Sequence, residues 1–255
     1  MTAKKKGSKP MPNRSKASTK QFQLDLIRDT RDRLLTLGYF SILSPNKFVE
    51  RIDATLEQAK VRASRTMFID VDIYSALVAT AQIIANRKSK TGGDYSKTTD
   101  KSKSLDLKVL GIKGELAILS ALNQFRIPYN FDHQLLYMRE HKLGPDFILY
   151  PSGVTIEVKT QQNYANSMYY NIKQYKKDTK RGVLADVIIA LKETKENEFA
   201  IEAMGWLEGV KVGETDNIYS SDYPAYQWPY SDLHNISDVG KFLWRLAARG
   251  LSGVN

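Results

Sequence analysis

Apolar and polar positions change their rhythm along this chain, and the changes mark its organisation. From Phe22 to Leu37 the residues Phe22, Leu26, Leu34 and Leu37 recur near helical spacing, with Leu24 and Ile27 beside the stripe. SPNKFVERIDATLEQA follows, with Ser44 placed to cap a helix and Pro45 at its first position, where a missing N–H costs nothing. VDIYSALVATAQIIANRK is apolar around most of its surface and reads as a third, well-packed helix. Residues 21–87 are therefore expected to form a small helical region.

Residues 88–104, KSKTGGDYSKTTDKSKS, read as a linker or exposed loop. After them the periods mix. LKVLGIKGELAILSALNQF predicts a helix, ended by Pro128. FDHQLLYM predicts a strand, and LGPDFILYPSGVTIEVKTQ a hairpin turning at Pro151–Gly153. NIKQYKKDTKRG is a polar helix or loop, and VLADVIIALKE and EFAIEAMGWLEG are two more strands. DYPAYQWPYSDLHNI reads as a long ordered loop, and ISDVGKFLWRLAARG as a closing helix ending at Gly250. Helix, strands, helix and strand in that order predict a mixed α/β domain over residues 105–255.

Composition narrows the function. The chain has 255 residues, 42% of them hydrophobic, enough for a sizeable core. With no cysteine, disulfide frameworks, thiolate nucleophiles and cysteine-based zinc sites are excluded together. No apolar run reaches the length of a membrane span and no signal-peptide core is present, so a soluble, cytoplasmic protein is expected. The net charge of +10 is unevenly spread: the first twenty residues hold seven Lys or Arg and no acid, and residues 105–255 are close to neutral. Residues 1–20 thus predict a disordered basic tail, suited to attracting polyanions without sequence preference.

Several chemistries lack their residues. There is no Gly-x-x-x-x-Gly-Lys-Ser/Thr loop for a nucleotide-driven motor and no Gly-x-Ser-x-Gly for a serine hydrolase. The three histidines, His133, His141 and His234, form no zinc-binding spacing. Residues 22–87 show no turn signature of a helix-turn-helix regulator.

The hairpin carries a different constellation. Side chains alternate on a strand, so Thr155, Glu157, Lys159 and Gln161 share one face and Val154, Ile156 and Val158 the other. A turn centred between Pro151 and Ser152 sets Asp146 opposite Glu157; a three-residue turn sets it against Val158 instead. Directly opposed Cβ atoms stand about 5 Å apart, and two carboxylates that close need a proton or a cation between them. Oxygen donors without thiols favour Mg²⁺, with Mn²⁺ as substitute, and the Val158 carbonyl and waters can complete the shell. The Lys159 ammonium then stands beside a metal-bound water and the charge of a phosphoryl transition state. Upstream, Glu115 shares a helical face with Ile118, Leu119 and Leu122, a costly place for an acid unless it reaches a partner, metal or water.

Pro145-Asp146, ten residues, then Glu157-Val158-Lys159 resembles the signature of the PD-(D/E)XK nuclease superfamily, over roughly residues 107–205. The resemblance implies a restriction-endonuclease-like central sheet flanked by helices, here preceded by the helical region. It also implies a Mg²⁺-dependent nuclease acting on DNA. Asp146 and Glu157 would hold the metal, Lys159 would act on the water, and Glu115 would sit behind them or on a second ion. Gln161 matches a polar residue that often follows the lysine. The Gln-x-x-x-Tyr helix of the RecB-like branch is not matched, since Tyr175 directly follows Gln174. Restriction-type, repair- or phage-type endonuclease and Holliday-junction resolvase all remain open, and a homodimer would suit duplex cutting. The reading from another class is a non-catalytic nucleic-acid-binding or assembly protein on the same fold.

Finally, QNYANSMYYNIKQYKKDTKR interleaves Tyr164, Tyr169, Tyr170 and Tyr175 with Lys173, Lys176, Lys177, Lys180 and Arg181. This suits base stacking and phosphate contact, or equally a solvated helix with a few packed tyrosines.

Overall fold

The computed structural model describes residues 64–69, 101–131, 144–197, 199–219 and 224–254. The basic tail, the three expected N-terminal helices, most of the linker, His133 and His141 lie outside these residues.

The fold is mixed α/β. Helix α1 (Lys101–Gln124) leads into strands β2 (Tyr129–Phe131), β3 (Phe147–Leu149) and β4 (Thr155–Gln161). Then come β5 (Ser167–Asn171), helix α2 (Ile172–Arg181), β6 (Val187–Glu193) and β7 (Ala200–Glu208). Strands β8 (Ile218–Tyr219) and β9 (Ala225–Pro229) and helix α3 (Val239–Arg249) complete the C-terminal part. A six-stranded sheet has the order β1-β7-β6-β4-β3-β2, where β1 is Thr66–Phe68. Within it β4 and β6 run parallel and the other neighbours antiparallel. A second, three-stranded sheet has the order β5-β9-β8.

Each face of the large sheet has its own core. On one face α1 and α3 bury Ile118, Leu119, Leu122, Leu243 and Leu246 against Ile156, Val187, Ile189 and Leu191. On the other, Ile188, Ala190 and Leu207 pack against Met168 and Tyr170 of the small sheet and Tyr175 of α2. This alternation along β6, with Val187 to Leu191 all at most 1% exposed, explains why VIIAL is a continuous apolar run: a parallel-paired central strand is covered on both sides. Asp186 fixes the start of that pairing, its Oδ2 accepting from the Thr155 N–H at 2.8 Å and from the Thr155 hydroxyl at 2.7 Å.

Three sequence expectations change. Thr66–Phe68, inside the stretch read as helical, is the edge strand of the large sheet, paired with β7. Helix α1 begins at Lys101, within the residues read as linker. The stretch around Trp228, read as a loop, contains β9, which pairs with β5 from Ser167–Pro229 to Asn171–Ala225. These strands are short and mix aromatic with polar residues, so neither alternation nor an apolar run marks them. Strand β2 starts at Tyr129, two residues before the stretch FDHQLLYM read as a strand; of that stretch only Phe131 is described.

Candidate functional site

The hairpin places the acids. Its turn is closed by the Leu149 N–H donating to the Val154 carbonyl at 2.8 Å and the Gly153 N–H to the Leu149 carbonyl at 2.9 Å. Gly153 sits at φ 75°, where a side chain would be strained. Phe147 then faces Ile156 and Ile148 faces Thr155. This is the register that a turn centred between Pro151 and Ser152 requires.

Regular pairing between β3 and β4 stops there. The Asp146 N–H donates to the Ile156 carbonyl at 2.8 Å. Its carboxylate Oδ2 accepts from the Val158 N–H at 2.7 Å, so a side chain fills the ladder position that the departing strand leaves open. At 3% exposure Asp146 is buried, and a charge-assisted bond to a backbone amide is the kind of contact that makes such burial tolerable. The N–H and C=O of one strand residue point to the same edge, so the Val158 carbonyl also faces the Asp146 side.

On β4 the row Glu157, Lys159, Gln161 faces the small sheet, while Ile156 and Val158 belong to the core under α1. Lys159 Nζ lies 2.7 Å from Glu157 Oε1, with the side chains only 22% and 20% exposed. It also stands 4.3 Å from the centre of the Tyr170 ring. The Tyr170 hydroxyl donates to Asp178 Oδ2 at 3.2 Å, and Gln174 Nε2 donates to both Asp178 oxygens at 2.7 and 2.8 Å. Burial alone would lower the Lys159 pKa, but the Glu157 carboxylate beside it, with Tyr170 and Asp178 farther off, outweighs burial and raises it above the usual lysine value. Lys159 is therefore an ammonium throughout the physiological range. Burial raises the Tyr170 hydroxyl likewise, against the opposing pull of Lys159, so Tyr170 stays neutral.

Gln161 lies next to Lys192 across the parallel pairing, and Lys192 Nζ stands 5.5 Å from the centre of the Tyr230 ring. Glu115 comes from the other side. Its neighbour Gly114 packs so closely on β4 that an added Cβ would stand 3.0 Å from Thr160 Cβ and 3.2 Å from Val158 Cγ1. Val158 and Thr160 alternate with Glu157 and Lys159, so the helix carrying Glu115 covers the face opposite the Glu157–Lys159 row. Ile118, Leu119 and Leu122 on its stripe are fully buried and Glu115 is half-buried. The structure thus joins Asp146 to β4 and Glu157 to Lys159, and carries Glu115 on the helix that packs on β4. The His234 ring lies tilted against Trp206, 4.6 Å between ring centres.

Asp146, Glu157 and the Val158 carbonyl offer oxygen donors, the type that hard cations take. Among the described residues no three His, Cys, Asp or Glu side chains converge as a metal cage. Two carboxylates, one outward carbonyl and waters are the complement that Mg²⁺ takes, since it dehydrates reluctantly and seldom uses an all-protein cage.

Sequence reasoning missed the support beneath Lys159. Tyr170 was visible only as one of several tyrosines. Asp178 carried the better signal: it is the only acid in a helix otherwise rich in Lys and Arg.

No family model and no curated protein matches the chain. Among the described residues no helix is long and apolar enough to cross a membrane.

Proposed function

We propose that the chain is a Mg²⁺-dependent nuclease of the PD-(D/E)XK kind that cleaves phosphodiester bonds within DNA. One observation carries this reading. At the end of the β3–β4 pairing, the buried Asp146 carboxylate meets the backbone of Val158, flanked on β4 by the Glu157–Lys159 pair. Helix α1, the three antiparallel strands β2–β4, and a crossover through α2 to β6, parallel to β4, support a restriction-endonuclease-like core.

Asp146, Glu157 and the Val158 carbonyl would hold the ion. A bound Mg²⁺ supplies Lewis acidity, lowering the pKa of a coordinated water and offsetting phosphate charge. Lys159, fixed as an ammonium, donates hydrogen bonds to the attacking water or to a phosphate oxygen and does not accept a proton at neutral pH. Tyr170 holds that ammonium by its ring face, and Asp178 and Gln174 hold Tyr170. Gln161 extends the donor row toward the next phosphate. A second copy of the chain would serve the opposite strand of a duplex.

The test is nicking of supercoiled plasmid with and without Mg²⁺, for the wild type and for Asp146→Asn, Glu157→Gln and Lys159→Met. The reading expects Mg²⁺-dependent nicking that falls by at least about a hundredfold in each variant. Equal nicking by wild type and Lys159→Met would overturn it. A four-way junction run beside linear duplex separates a resolvase from a general endonuclease, and binding without cutting would leave the non-catalytic reading.

A further inference from the structure

Helix α2 has two unlike sides. None of its residues is fully buried, and its inner side is held by Asp178 on Tyr170 and by Tyr175. The Tyr175 ring packs edge-on against Tyr170 and Tyr226 at 6.0 and 5.3 Å, and its hydroxyl donates to the Val210 carbonyl at 3.1 Å. Lys173, Lys176, Lys177, Lys180 and Arg181 follow one another at i, i+3, i+4, i+7 and i+8, which gathers them on the other side. Lys177 is half-buried and the other four are exposed. None of the five has an acidic partner among the described residues. The helix's one acid, Asp178, is turned inward.

Stability does not explain this stripe. Like charges three and four residues apart destabilise a helix. Lys180 and Arg181 gain from the C-terminal end of the helix dipole, but Lys173 stands in a first turn that has no acid, where a cation is unfavourable. A solvating surface would be met better by mixed charge. The ends are well fixed nonetheless: the Asn171 side chain accepts from the Gln174 N–H at 3.0 Å, and Gly182 closes the helix at φ 65°.

We infer that this outer face of α2 is the surface along which the phosphate backbone of the nucleic acid lies. It deepens the nuclease reading by placing the substrate, and takes the substrate class from that reading. The stripe spans roughly 12 Å along the helix axis, and at about 3.4 Å of duplex axis per phosphate on one strand this reaches three to four phosphates. The same helix, through Asp178 and Tyr170, ends at Lys159, so a backbone seated on the stripe is aligned with the candidate site by one rigid element.

The experiment measures binding of the full chain to a short labelled duplex in EDTA, where cutting cannot interfere, over a salt series. Two triple variants remove the same charge: Lys173→Gln/Lys176→Gln/Lys180→Gln on α2, and Lys241→Gln/Arg245→Gln/Arg249→Gln on α3, which packs on the opposite face of the sheet. For the α2 triple the slope of log K against log salt is expected to fall by about 2.7, with at least about tenfold weaker binding near 0.1 M salt, and the α3 triple to stay near wild type. Equal losses from both, or an unchanged slope for α2, would overturn the inference. If the triple does not fold by circular dichroism, Lys176→Gln alone decides, with an expected slope change of about 0.9. Binding lost on α2 with no Mg²⁺-dependent cutting in wild type would remove the nuclease reading and keep this surface.

Discussion

Asp146 is bonded through its carboxylate to the backbone N–H of Val158, 2.7 Å away and twelve residues further along the chain. The contact ties the residue just before β3 to the next strand at the step where their ladder ends. On the proposed function the acid has two duties, closing the sheet and offering oxygen to a cation, and the two can be separated. Asp146→Ala should cost about 1–3 kcal/mol, since it leaves a buried amide unsatisfied. Asp146→Asn keeps an acceptor of the same size and should unfold within about 1 kcal/mol of wild type. Urea titration of both proteins checks this, and on the proposed function both lose Mg²⁺-dependent nicking.

Lys159 competes with any cation for Glu157. Lys159→Met keeps the packing on Tyr170 and removes that competitor. Mn²⁺ affinity by isothermal titration is expected to rise about fivefold, equivalent to about 1 kcal/mol, while cleavage falls. A variant that binds Mn²⁺ more weakly than wild type would mean that the lysine helps to build the ion site.

Tyr170 should act on the reaction through Lys159. Tyr170→Phe keeps the ring under the ammonium and loses only the bond to Asp178. Tyr170→Leu loses the cation–π contact, worth about 1–2 kcal/mol in a site this sheltered. Cleavage by the Leu variant should fall about tenfold in kcat with little change in KM, and the Phe variant should recover most of it. A loss in KM alone, or equal loss in both variants, would assign Tyr170 to packing.

Gly114 sets the distance between α1 and β4. In a helix an alanine is favoured over glycine by about 1 kcal/mol, yet here the new Cβ would collide with the Thr160 side chain, 3.0 Å from its Cβ, and with Val158 Cγ1 at 3.2 Å. Gly114→Ala should therefore destabilise by about 1–3 kcal/mol. Thr160 Oγ1 is buried without a hydrogen-bond partner among the described residues, so Thr160→Ala costs little and relieves much of the clash. Thermal melts of the two single variants and the double variant measure the coupling.

Alkaline pH should loosen the fold from one side of the sheet. Burial raises Tyr170 and Tyr230 above their ordinary value of 10.0, and Lys159, despite burial, is raised above 10.5 by Glu157. All three hold their protons more tightly when folded. Their contribution to stability is complete below about pH 10 and is lost as the pH climbs through the raised values. The Tyr230 hydroxyl is also buried without a hydrogen-bond partner among the described residues. Tyr230→Phe should thus gain about 1 kcal/mol at pH 8 and show a shallower fall in melting temperature between pH 9 and 11.

The hairpin was legible because its determinants are local. Pro151 and Gly153 define the turn, alternation defines the faces of β4, and together they set Phe147 against Ile156 and Ile148 against Thr155. Helix α1 and strands β6 and β7 were equally plain, since each buries a long apolar face. The small sheet was hidden. Its strands pair residues far apart in sequence, Tyr170 with Tyr226 for example, and carry polar groups such as Gln227 and Asn171 that any loop would carry. The support under Lys159 was hidden for the same reason: nothing in the order of residues says that the crossover folds Tyr170 back over β4. Nor does sequence reveal which face of β4 the helix carrying Glu115 covers, because the side of the sheet that a helix covers is a property of the connection.

The chain between Gln161 and Asp186 folds over one side of β4 and returns as β6. It carries Tyr170 and Asp178 on its inner surface and five cations on its outer one. Hairpin and crossover are therefore separate stretches of sequence. On the proposed function, replacing this excursion would retune phosphate grip and lysine posture together while leaving Asp146 and Glu157 in place.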